Sequence, residues 1–190
     1  MNATSTYLSR TSRAWKWLGA NKDAITIVFA LIAGFTTLYQ YKKTVTDGKR
    51  KETLAYVMRD QDVRIAESHA AINNLMFDKA KRAEYDKYRE AAIRQDKPDL
   101  DGFEEFVRAN DLRKHILVLV DHYVNIVQCV ESDVCDRALA CSAFQGAIEA
   151  HWHNWRPLFK VKWKERTGEN FMRAPYNFVL ECQGKPPLKD

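Results

Sequence analysis

The pattern of apolar and polar positions divides the chain into one uncharged apolar run and a longer stretch of helical periodicity. From Ala24 to Tyr41, AITIVFALIAGFTTLYQY, no Lys, Arg, Asp or Glu occurs. Eighteen helical residues rise about 27 Å, slightly short of a ~30 Å hydrocarbon core. The run therefore predicts a single transmembrane helix over 24–41 with anchored ends. Beyond it, GKRKETLAYVMRD resumes helix-forming residues with Leu54, Val57 and Met58 on one face, predicting a basic stalk helix over 42–61.

A helical domain over 62–182 follows. Asp62 is placed to cap a helix whose core face is read as Val63, Ala66, Ala70, Ile72, Leu75 and Met76. Charged helical turns run from Ala80 to Arg94, then a loop carries Pro98 and Gly102. Phe103, Phe106 and Val107 mark a short helix leading into Asp111–Val130, which is apolar around most of its circumference and should be the central buried helix. Its uncharged core, Ile116 to Val120, is too short to span a bilayer. Asp133 or Asp136 can cap the next helix, where Ala138, Leu139, Cys141, Ala143, Phe144, Ala147 and Ile148 supply contacts as far as about Trp155. Pro157 suits the first turn of another helix, closed by Gly168. A last helix from Pro175 to Cys182 turns Tyr176, Phe178 and Val179 inward before the polar tail 183–190. No segment alternates with period two, so the fold class is all-α, a transmembrane helix continuing into a helical-bundle domain.

Charge refines this picture. Much of the formal +5 lies in Arg10, Arg13, Lys16 and Lys22 before the run and in Lys42, Lys43, Lys49, Arg50 and Lys51 after it. Basic flanks around an apolar run read as phospholipid contacts before they read as a nucleic-acid patch, so direct nucleic-acid binding is not expected. Trp15, Trp17, Tyr39 and Tyr41, with Lys42 and Lys43, are placed for the membrane interface, and 1–23 is an interfacial segment. The denser cluster after the run predicts an inner-membrane, single-pass protein with its C-terminal domain cytoplasmic. A cleaved signal peptide is disfavoured by the long polar region before the run. In the cytoplasm Cys129, Cys135, Cys141 and Cys182 should be reduced, packed thiols, and they contain no Cys-x-x-Cys pair for zinc.

The run VDHYVNIVQCVESDVCDRALA resembles a segment of an uncharacterised bacterial family of small single-pass membrane proteins with a helical cytoplasmic domain. In that family a Leu-Asn-aromatic-aromatic-Glu stretch leads to a turn ending in Asp. Asp121, His122 and Tyr123 fall on its Asn and aromatics, Val134 to Asp136 on the turn, GKRKET on an Arg/Lys-rich segment with a Thr, and HWHNWRPLF on a Trp-rich helix followed by Pro. Val124 stands where the family has Glu. The architecture is also similar to the membrane-anchored accessory protein of type VI-B CRISPR systems, whose domain looks like a degenerate HEPN fold and which assembles as a pore. That resemblance implies an antiphage-defence setting, with a sensor or nucleoprotein partner.

HEPN ribonucleases use an Arg and a nearby His. Arg64 with His69, or Arg108 with His115, would be the counterparts here, although such pairs arise by chance in a chain of this composition. His151 and His153, two apart on a helix, project to different sides and do not suggest a shared metal, and no cofactor motif is present. The apolar run carries a sharper signal. Thr26, Ala30, Ala33, Gly34 and Thr37 share one helical face, opposite Val28, Leu31, Ile32, Phe35 and Leu38. Small residues at that spacing let helix backbones approach. The expectation is a self-associating protein in the lipid bilayer, an antiphage effector that opens a pore or depolarises the inner membrane. A membrane-tethered ribonuclease or a non-catalytic anchor for a cytoplasmic partner is the alternative.

Overall fold

The computed structural model describes residues 22–59, 62–94, 99–160 and 172–188, with side chains from Thr26 onward and excluding that of Lys160. The interfacial segment with Trp15 and Trp17, and the helix expected to close at Gly168, lie outside the described residues. Among those residues the chain is all-α: α1 Lys22–Arg59, α2 Val63–Phe77, α3 Lys79–Ile93, α4 Leu100–Ala109, α5 Leu112–Glu131, α6 Arg137–Lys160 and α7 Arg173–Cys182. It divides into two compact units, Met1–Asp47 and Gly48–Asp190.

In the first unit, α1 holds Ile27, Val28, Phe29, Leu31, Ile32, Phe35, Leu38, Tyr39 and Tyr41 each more than half exposed. Its threonines use their hydroxyls at home: Thr36 Oγ1 donates to the Ile32 carbonyl and Thr37 Oγ1 to the Ala33 carbonyl, both at 2.8 Å. Among the described residues no helix is long and apolar enough to cross a membrane. The uncharged run itself begins at Ala24 and Ile25, before the described side chains.

The second unit is built around α5, on which Leu112, Ile116, Leu119, Val120, Tyr123, Ile126, Val127 and Val130 are buried. α2 packs along it, α3 pairs with α4, and α6 pairs with α7. Aromatic side chains fill the centre: Trp155 stacks on Phe103 with ring centroids 6.0 Å apart, Tyr85 meets Trp155 edge-on at 5.5 Å, and Trp152 stacks on Tyr176 at 4.7 Å. Each such ring removes about 150–250 Å² from water.

Caps set the helix starts. The Asp62 carboxylate accepts the Arg64 N–H at 3.0 Å, Asp78 accepts from Ala80 and Lys81, and Asp99 accepts from Gly102. A Cβ at Gly102 would lie 2.5 Å from the Asp99 carboxylate, so any larger residue there makes that carboxylate move off its cap.

Three expectations change. The buried face of α2 is Ser68, Ile72 and Leu75, flanked by Ile65 and Met76, whereas Val63, Ala66 and Ala70 are exposed. In α6, likewise, Ala140, Phe144 and Ile148 are buried while Ala138, Ala143 and Ala147 are exposed. Pro157 does not start a new helix but sits inside α6. A proline there leaves the carbonyl four residues earlier without its partner. That carbonyl, of His153, accepts from Arg89 Nη2 at 3.1 Å, and the neighbouring Asn154 carbonyl accepts from Tyr85 Oη at 3.1 Å. Arg89 of α3 thus satisfies the carbonyl that the proline frees, and Tyr85 adds a second bond one residue on. Burial pushes the Tyr85 phenol well above its ordinary pKa, so it stays a donor.

The cysteines are the third change. Cys129 is bonded to Cys135 and Cys141 to Cys182, leaving no free cysteine, so the expected reduced thiols are corrected to two disulfides. The first closes a turn in which Asp133 takes a left-handed conformation, φ 58°, and the Cys135 N–H donates to the Cys129 carbonyl at 3.0 Å. The second joins α6 to α7, beside an Arg137–Glu181 ion pair at 2.6 Å. Neither pairing follows a sequence motif. Each depends on where the helices bring the residues.

Candidate functional site

The last turns of α1 meet the domain at two places within the second unit. The first is a polar hub on Thr53, which is 1% exposed. Its hydroxyl donates to the Lys49 carbonyl at 2.9 Å and accepts the Asp136 N–H at 2.8 Å. Lys49 pairs with Asp133 at 2.5 Å and Arg50 with Asp136 at 3.5 Å. Asp136 also caps α6, its carboxylate accepting the Leu139 N–H at 3.0 Å. That backbone donor, followed by the charge of Arg50, holds the Asp136 carboxyl below its usual range. Lys49, Arg50 and Thr53 are thus fastened to the α5–α6 turn, and the Cys129–Cys135 bond closes that turn.

The second place is a cleft of about 340 Å³ lined by Tyr56 and Arg59 of α1, Asp62, Arg64 and Ile65 at the start of α2, and Val118, Asp121, His122 and Asn125 of α5. The Arg59 guanidinium lies over the Tyr56 ring at 4.8 Å. Arg64 reaches back to Asp62 at 4.0 Å. His122 is buried, with its ring 6.4 Å from that of Tyr56 and edge-on to Phe144 at 5.8 Å. Two guanidiniums, two carboxylates, an imidazole and an amide converge here. The set suits a small polar or zwitterionic ligand better than a polyanion, because formal charge in the cleft balances.

Of the ribonuclease candidates, Arg64 lines the cleft and His69 does not. Five helical residues rotate about 500°, which leaves the two about 140° apart around α2. His69 is half-buried and adds to the lowering of the His151 pKa. Arg108 forms a two-pronged pair with Glu105, at 2.7 and 2.8 Å from Nη2, while His115 Nδ1 lies 3.2 Å from the buried Ser68 hydroxyl. His151 is buried against Tyr123 and Phe159, and burial drops its pKa to about 3. His153 is exposed on the opposite side of α6. Among the described residues no group of three His, Cys, Asp or Glu is placed to hold a metal.

Thr26, Ala30, Ala33, Gly34 and Thr37 all lie exposed on α1, within an arc of about 100°. A Cβ added at Gly34 would meet nothing within 4 Å. Tyr39, Tyr41, Lys42 and Lys43 are likewise exposed further along the same helix.

A family model described as a domain of unknown function, DUF4760, matches residues 25–174. The chain belongs to the DUF4760 family. No curated protein and no solved structure matches it. The match runs from the apolar part of α1 into the helical domain as far as residue 174. The residues sequence reasoning missed are Tyr85 and Arg89, the carbonyl donors at Pro157, and the cysteine partners. The Thr53 segment, GKRKET, stood out only as a string, with no hint of what its threonine would touch.

Proposed function

We propose that this DUF4760 protein is a single-pass membrane protein that self-associates through the small-residue face of α1 and acts on the membrane as an assembly. The observation that carries this reading is the apolar surface of α1, nine large side chains each more than half exposed. A contiguous uncovered surface of this kind is not stable against water and calls for lipid or for another copy. The uncharged run from Ala24 supplies the span and the aromatic and basic residues from Tyr39 to Lys43 its far anchor. Ala30, Ala33 and Gly34 allow a second backbone to approach. Thr36 and Thr37 support immersion, because their hydroxyl protons are already bonded within the helix.

The output assigned to the assembly is a change in membrane permeability, the kind of output an antiphage-defence effector delivers. Since the Thr37 proton is spent inside the helix, the face offers oxygen lone pairs to whatever it lines. The test is the mass of the full-length protein in mild detergent, together with dye leakage from vesicles that carry it. Gly34→Leu and Ala33→Leu should return the protein to monomer and abolish leakage without altering its helicity, given the open space at Gly34. A wild-type monomer that leaks nothing, or variants that assemble and leak like wild type, would sink the proposal.

A further inference from the structure

We infer that the helical domain, Gly48–Asp190, resides on the oxidising side of the membrane, opposite to the cytoplasmic placement suggested by the basic residues. The chain has four cysteines, and the fold pairs every one of them. The Cα atoms stand 5.3 Å apart in one pair and 5.7 Å in the other, inside the span that a disulfide bridges without moving the backbone. One pair is local and the other joins residues 41 positions apart on two different helices. Two independent pairings that leave no thiol over are the mark of a chain that matures where disulfides persist. In the cytoplasm the glutathione and thioredoxin systems would hold these thiols reduced.

The charge pattern opposes this only weakly. Within 18 positions on either side of the apolar run, four basic residues precede it and six follow it, an excess of two. Orientation set by so small a bias is readily reversed. The consequence for function is direct. The cleft at Tyr56, Arg59, Arg64 and His122 would face extracytoplasmic ligands, and RNA would not be among them.

The placement draws on the anchor reading only for the membrane itself, so the two can fail separately. Full-length protein is produced in a Gram-negative bacterium, cells are quenched in acid, and thiols are labelled with a polymer-tagged maleimide before and after reduction. The expected result is no mass step without reductant and four steps after it. Cys141→Ser combined with Cys182→Ser should give two steps after reduction and none before. In parallel, alkaline phosphatase fused after Asp190 should be active and a green fluorescent protein fusion dark. Labelling of wild-type thiols without reductant, or a fluorescent fusion with inactive phosphatase, would overturn the inference. Fully oxidised protein that washes off the membrane would support the oxidising compartment and remove the anchor instead. Membrane-embedded protein with free thiols would do the reverse.

Discussion

Removing the Cys141–Cys182 bond should be the most damaging single change to the domain that leaves its core side chains in place. The bond closes a loop across 41 positions, and the chain-entropy relation assigns a closure of that length about 4 kcal/mol. The Cys129–Cys135 closure, across 6 positions, comes to about 2.4 kcal/mol by the same relation. At roughly 2.1 cal/mol/K per residue, a domain of about 140 residues loses about 13 °C of Tm for the first and about 8 °C for the second. Cys141 and Cys182 are only half-buried, so replacing both with Ser removes the crosslink at small packing cost. Full-length protein in detergent is followed by tryptophan fluorescence, which reports on the buried Trp152 and Trp155. The double variant without reductant and the wild type with reductant should both melt lower, the latter by more because both bonds are gone. The reasoning is refuted if the Cys141/Cys182 variant melts within about 2 °C of wild type, or if the short closure proves the costlier of the two.

Three further outcomes follow from the same geometry. Thr53→Val leaves the Asp136 N–H without its acceptor beside a buried side chain and should cost about 1–3 kcal/mol, whereas Thr44→Val, which removes only an exposed bond to the Gln40 carbonyl, should leave Tm unchanged. His151 stays neutral in the fold, with its pKa lowered from 6.5 to about 3 by burial, while the unfolded chain takes up a proton near 6.5. Its contribution is therefore complete above pH 6.5 and is lost by about 1.4 kcal/mol per unit as pH falls toward 3. Denaturant titrations between pH 6.5 and 4.5 should show a shallower slope for His151→Gln than for wild type, and parallel slopes would contradict the assignment. Asp136 and Asp111, whose pKa values are lowered, act only below the ordinary carboxylate range, where their stabilisation is lost as pH falls. Gly102→Ala pushes the Asp99 carboxylate off its cap at a cost of about 1 kcal/mol, which the preference of a helix for Ala over Gly offsets by about as much, so Tm should stay within about 3 °C of wild type and a larger loss would contradict the reasoning.

The all-α class and the central place of α5 were legible because period and apolar density along Leu112–Glu131 are local properties. The same local reading found Ile72, Leu75 and Met76 on the packed face of α2 but put Val63, Ala66 and Ala70 there in place of Ser68, a polar residue. In the fold it is buried, bonding the Arg64 carbonyl and meeting His115. Pro157 was misread for a related reason. A proline in mid-helix is costly unless something takes up the carbonyl it frees, and the group that does so, Arg89, lies 64 positions from His153. The Cys141–Cys182 pairing depends on α6 meeting α7, which no spacing rule reveals. At the candidate sites, strings such as GKRKET and DHY marked segments worth attention. Only the fold assigned Thr53 to the Asp136 N–H and His122 to the cleft with Tyr56.

The account turns on α1 being an anchor, because the exposed apolar surface, the self-association and the sidedness of the domain all assume a bilayer around it. Alkaline carbonate extraction of membranes from cells producing the full-length protein tests this most directly. The account predicts that the protein stays in the pellet through carbonate and is released only by detergent. Recovery in the carbonate supernatant would contradict it.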